Sequence, residues 1–137
     1  MTTMDNSSSR LPVILVAEAS VLIRMVISDY LRECAYKVIE AANSDEALTI
    51  LTDGNMAVDV VFTDIELPGT LDGFGLARWV RTNKATIKVL LVGTVAKAAE
   101  AAADLCENGP VMTKPYDKQL VVDRIKRLLA TAANPGS

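Results

Sequence analysis

The chain has 137 residues, half of them hydrophobic, with a net charge of −3 and no histidine. That length and apolar fraction suit one domain whose core needs neither metal nor disulfide staples, the scattered basic residues argue against a nucleic-acid footprint, and the lack of histidine leaves any chemistry to carboxylates, lysine or hydroxyls. The start, MTTMDNSSSR, has no apolar signal core, and no stretch nears the ~18 uninterrupted apolar residues of a membrane span, so a cytoplasmic protein is expected.

Residues 1–10 are polar and serine-rich and 131–137 are small residues with Pro and Gly, which makes both ends loose tails around a folded part at 11–130. The first apolar run, VILVA at 13–17, predicts a buried strand, and SVLIRMVISDYLREC after it has helical spacing. KVIEA at 37–41 is the second strand, followed by the helical stretch SDEALTILTD, with Asn43 and Glu46 spaced as a cap-like start. VDVVFT at 58–63 and DGFGLARWVRTN form the third pair, IKVLLV at 87–92 and the alanine-rich VAKAAEAAADLCEN the fourth. PVMT at 110–113 and YDKQLVVDRIKRLLA form the last. Gly54 and Gly109 follow the expected helix ends. The alternation predicts an α/β fold in which five parallel strands are covered by helices on both faces through right-handed crossovers.

Cys34 and Cys106 are far apart in the chain and lack C-x-x-C spacing, so both are expected to be reduced, small buried hydrophobes. In doubly wound sheets ligands and chemistry gather outside the carboxyl ends of the strands. The residues there are Glu18, Asp64, Gly93 and Thr94, and Lys114 followed by Pro115.

These positions resemble those of the receiver domain of two-component response regulators. VILVAEASVLIRM resembles that family's first strand with its acidic pair, VVFTDIELPGTLDGFGLA its phosphoacceptor strand and loop, and VMTKPY its last strand with a lysine and a Lys-Pro step. The resemblance implies a flavodoxin-like sheet of order 2-1-3-4-5 in a stand-alone signalling module that is not an enzyme. It further implies Asp64 as phosphoacceptor, Lys114 as counter-charge to the phosphoryl oxygens, and a hydroxyl from Thr94. Mg²⁺ would be held by Glu18, Asp64 and the main-chain carbonyl of Glu66. A histidine kinase or phosphotransfer protein would be the donor and another protein the target, with no direct nucleic-acid or membrane partner, and a homodimer through the strand 4 to helix 5 face fits the same family.

Four departures qualify that picture. Ala19 stands where the family's second acid ligates Mg²⁺, which weakens the metal site. Without the cation, each pair of unit charges ~5 Å apart costs on the order of 3 kcal/mol at an effective dielectric of about 20. Gly93 takes the place of the usual hydroxyl residue, with Thr94 one position later, and Val111 replaces the aromatic switch. The loop between Gly69 and Asp72 is one residue longer than the commonest spacing. A second reading is therefore a degenerate receiver that binds proteins independently of phosphorylation. The DIE at 64–66 is similar to the motif of haloacid-dehalogenase-like phosphatases, but those carry their nucleophile on an early strand of a longer chain, and no glycine-rich nucleotide motif occurs. Each prominent residue also has a bland reading: Asp64 as a turn cap, Lys114 as a surface lysine, Thr94 as a helix cap, and the alanine-rich helix as propensity filling or as a docking face.

Overall fold

The computed structural model describes residues 11–107 together with Asp123 and Arg127. The expected fifth strand, Gly109, Val111, Lys114, Pro115 and both tails lie outside the described residues, as does all of the closing helix except those two positions. Four strands form one parallel sheet: β1 (Val13–Ala17), β2 (Lys37–Ala41), β3 (Val60–Asp64) and β4 (Lys88–Val92), in the order β2-β1-β3-β4. Four helices alternate with them: α1 (Val21–Glu33), α2 (Ser44–Thr52), α3 (Gly73–Asn83) and α4 (Val95–Glu107).

Every residue of β1 is buried, as a central strand covered on both faces must be. Its period-two alternation feeds two cores. Ile14 and Val16, with Phe62, Leu90 and Val92, pack against Val26, Ile27, Tyr30 and Leu31 of α1 and Ala98, Ala99 and Ala102 of α4. Val13, Leu15 and Ala17, with Val61, pack on the other face against Ala47 and Leu51 of α2 and Leu76 and Val80 of α3.

Local chemistry fixes where each helix starts. Ser20 Oγ accepts from Ile23 N, Asn43 Oδ1 from Glu46 N, Asp72 Oδ1 from Gly75 N, and Thr94 Oγ1 from Lys97 N. Glu46 also reaches back to accept from Ala42 N at 2.7 Å, so the cap read from Asn43 and Glu46 is reciprocal. The smoothness of α4 has an internal use: Ala98, Ala99, Ala102 and Ala103 form its buried face, which lets the helix lie close to its neighbours.

The cysteines correct the expectation that both are reduced. Cys34 caps the carboxyl end of α1, Cys106 sits in the last turn of α4, and the two are joined as a disulfide with their Cα atoms 5.3 Å apart. The absence of a local C-x-x-C spacing says nothing about cysteines that tertiary packing brings together, and here two helices on one face end side by side. In the chain-entropy model, closing a loop across a separation of 72 residues contributes about 4 kcal/mol. Reduction, or replacement of Cys106 by serine, is expected to lower the thermal midpoint by roughly 10 °C or more, measured by calorimetry with and without reductant.

Candidate functional site: two carboxylates at the sheet's carboxyl edge

Strand register assembles the site. Ala17 pairs with Thr63 across β1 and β3, so the residues that follow, Glu18 and Asp64, come abreast at the ends of neighbouring strands. Alternation then sends both side chains to the α1 and α4 face, since Val16 and Phe62, two residues earlier, belong to the core on that side. Both line one cavity of about 220 Å³ with Ile23 from α1, Glu66, and Gly93, Thr94, Val95 and Ala98 from the end of β4 and the start of α4.

Glu18 is held from below by its N–H, which donates to Ala41 O at 3.0 Å, and from ahead by Ser20 N, which donates to Glu18 Oε2 at 2.8 Å. Burial is the main reason its carboxyl titrates above the ordinary glutamate range. The Asp64 charge and a carboxyl–carboxyl hydrogen bond add to that rise, while the Ser20 amide and the Arg24 guanidinium oppose it. Arg24, which sequence reasoning missed, donates from its Nη1 to Glu18 O at 2.8 Å and pairs through Nε with Glu40 at 3.1 Å. It therefore ties the β1–α1 junction to the edge strand β2. Its only sequence signal is a position one helical turn past the Ser20 cap.

Asp64 is the last residue of β3. Its Oδ1 accepts from Glu66 N at 3.0 Å, and the residue lines the cavity shared with Glu18. Glu66 is exposed although it lines the cavity, and Ala19 is exposed with no donor atom in its side chain. Thr94 lines the cavity, and its hydroxyl oxygen also caps α4. The third expected member of the cluster, Lys114, lies outside the described residues.

The loop that follows Asp64 is anchored on its far side by contacts no motif announces. Gly69, at φ 120°, brings the backbone against Ser44, where a side chain would collide with the Ser44 hydroxyl and amide. Ser44 N donates to Pro68 O and Ser44 Oγ accepts from Leu71 N, both at 2.9 Å. Asp45 takes both donors of Thr70, N at 3.2 Å and Oγ1 at 2.7 Å. The extra residue of the loop is thus tied down by the start of α2. Gly73 explains the Asp-Gly step after it: a Cβ there would run into the Asp64 carbonyl and the Ile65 backbone.

The donor set can be tested against Mg²⁺, which asks for near-octahedral oxygen coordination with one or two carboxylates supplemented by phosphate and water. Glu18 and Asp64 supply two carboxylates on one cavity and so fit such an ion. No group of three or more His, Cys, Asp or Glu side chains suited to a metal gathers among the described residues.

A doubly wound parallel sheet with two acids at the ends of neighbouring strands is the architecture of a receiver-type signalling domain. The match to known proteins agrees: residues 14–126 fit the response regulator receiver domain model, and the chain belongs to that family, whose members serve two-component signalling as modules rather than enzymes. It is 32% identical over 120 residues to the transcriptional regulatory protein ResD of Bacillus subtilis, covering 88% of this chain and 49% of ResD. It is 29% identical over 121 residues to AruR of Pseudomonas aeruginosa, covering 86% and 49%. The chain thus spans about half the length of these relatives. In fold it resembles a receiver domain protein of Clostridium thermocellum, with a TM-score of 0.58 at 24% identity, covering 90% of this chain and 98% of that one. It also resembles a chain in the crystal structure of histidine kinase ThkA in complex with response regulator TrrA, with a TM-score of 0.56 at 32% identity over 61% of this chain and 70% of that one.

Two outcomes follow from the geometry. Gly73→Ala must push the Asp64 carbonyl aside and is expected to cost about 1–3 kcal/mol in a denaturant titration. A folded-state carboxyl pKa raised above its unfolded value favours folding fully below the unfolded pKa and loses that contribution as pH rises through the folded one. Glu18→Gln, in metal-free buffer, is therefore expected to raise the thermal midpoint near pH 7, and the gain should shrink toward about pH 4, where the unfolded carboxyl is itself protonated.

Proposed function

We propose that this receiver, spanning 11–130, accepts a phosphoryl group on Asp64 from a histidine kinase or phosphotransfer protein in the cytoplasm and signals by contact with another protein. The observation that carries the reading is the register-imposed meeting of Glu18 and Asp64 in one cavity at the carboxyl edge of the sheet. The donor's phosphorus is attacked by Asp64 Oδ2. The new bond is an acyl phosphate P–O bond, the bond that breaks is P–N of a phosphohistidine, and the electron pair and a proton leave with the imidazole. Glu66 N steadies Oδ1 throughout and so fixes which oxygen is the nucleophile.

Mg²⁺ would be held by Glu18, Asp64 and the Glu66 carbonyl, more weakly than with an acid at position 19, and when bound it would neutralise phosphoryl charge. The 13-residue helices α1 and α4 both present their amino ends to this cavity, which favours an anion there. Lys114 would add a point charge, and Thr94 a hydroxyl. Among the described residues, the one atom near a Cβ at Gly93 is the tip of the Ile65 side chain, at 3.1 Å.

The second reading, a receiver that binds its partner without being phosphorylated, is favoured by Ala19 and by Glu18, whose carboxyl is engaged by the Ser20 amide and by Asp64 itself. Acetyl phosphate with Mg²⁺, followed by intact mass, separates the two. Addition of one phosphoryl group that disappears in Asp64→Asn is the outcome expected. An unchanged mass at millimolar Mg²⁺ leaves the binding-module reading standing in its place.

A further inference from the structure

The disulfide occupies an informative position. Both helices it joins begin at the acceptor cavity: Ser20 N holds Glu18 and Ile23 lines the cavity at the start of α1, while Thr94, Val95 and Ala98 line it at the start of α4. Both helices have 13 residues, about 20 Å of rise. Cys34 and Cys106 therefore tie together the far ends of the two elements whose near ends wall Asp64.

Small side chains make up much of the rest of that interface. The fully buried residues of α4 are four alanines and the cysteine, short side chains on the same core as Val26, Ile27 and Tyr30, with the half-buried Val95 and Leu105 packed beside them. A directional tie near the far end is the Tyr36 hydroxyl, which donates to Leu105 O. With the sulfur–sulfur bond in place the pair of helices is closed covalently at its far end; without it, that constraint on how α4 lies against α1 is gone.

We propose that the Cys34–Cys106 disulfide is a reversible redox modification site, through which a dithiol reductant loosens the α1–α4 wall of the Asp64 cavity. Cys34 is half-buried and Cys106 is buried, so the accessible sulfur is Cys34 Sγ. A thiolate of the reductant attacks it, and the Cys34–Cys106 bond breaks. Cys106 departs as a thiolate and takes a proton. The reductant's second thiol then attacks its own sulfur in the mixed disulfide and releases Cys34, so two electrons and two protons pass to the protein and the reductant becomes a disulfide. The new Cys106 thiol has an acceptor in place, since its sulfur lies 4.0 Å from Tyr30 O. Disulfides in cytosolic proteins are more often redox-sensing or transient than permanent staples, which fits this role in a signalling domain. The regulatory meaning rests on the reading of Asp64 as acceptor; the mechanical coupling does not.

The test uses the whole chain, oxidised and then reduced with dithiothreitol, beside a Cys34→Ser/Cys106→Ser variant. Amide exchange is read at the near-end hydrogen bonds: Ile23 N and Arg24 N on Ser20, Lys97 N and Ala98 N on Thr94. Acetyl phosphate labelling is read in parallel. Reduction is expected to speed exchange at these four amides by roughly tenfold, reversibly on reoxidation, and to slow labelling of Asp64 severalfold. A variant too unstable to purify does not interrupt the test, because the wild-type chain is cycled between the two states. Faster exchange confined to the turns around Cys34 and Cys106 would mark an inert staple and overturn the proposal, as would an intact mass showing two free thiols after exposure to oxidant. Near-end amides that respond while neither state is labelled would support the coupling and remove the acceptor reading instead.

Discussion

The meeting of two carboxyl groups at adjacent strand ends is the constraint around which this domain is organised. Parallel pairing of Ala17 with Thr63 leaves Glu18 and Asp64 no choice but proximity, and alternation along both strands aims them at the same face. Like charges that close, in a half-buried cavity, are unfavourable unless a proton, a cation or nearby dipoles intervene. The chain supplies dipoles in two places, through the Ser20 amide on Glu18 and the Glu66 amide on Asp64, and a guanidinium behind Glu18. A residual charge problem is left, which burial resolves by moving Glu18 toward its neutral form. Two acids so placed gain from any positive charge brought beside them, which is a feature of functional sites more often than of packing.

Much of this was legible in the sequence because it follows from periods and spacings. The strands at 13–17 and 37–41 were read with their observed bounds, since near-continuous β-branched runs between polar turns have few other uses. The third strand begins two residues later than expected and includes Asp64 as its last member, because Asp59 turns its carboxylate to accept from Val13 N at 2.8 Å. Glu18, Asp64 and Thr94 were found as strand-end residues, and the structure brings all three to one cavity.

What could not be read is what depends on distant segments meeting. The disulfide joins residues separated by 72 positions, and nothing local distinguishes its cysteines from buried hydrophobes. The Asp45 grip on Thr70 was equally silent: the additional loop residue was visible as a departure, but its anchor lies 25 positions earlier on another helix. Arg24 looked like one more polar residue on an amphipathic helix until the fold set it against Glu18 O and Glu40. In each case the missing information was tertiary, and residue types alone did not encode it.

The two flanks of Asp64 are built on different principles. On the α2 and α3 side the loop after Asp64 is fixed by directional bonds to Ser44 and Asp45, by the turn at Gly69, and by backbone contact at Gly73, which leaves no room for a side chain. Rearranging that side means breaking several hydrogen bonds at once. On the α1 and α4 side the wall is a helix rich in small side chains resting on an apolar face, with a covalent bond and a hydroxyl contact at its distal end among the described residues. Alanine contacts are shallow and non-directional, so a helix held by them can shift at low cost unless something else pins it. A signalling domain that must hold its strand-end aspartate in place yet convey a change of state has reason to make one flank rigid and the other adaptable. Here the small side chains lie along α4, the helix that begins at the cavity.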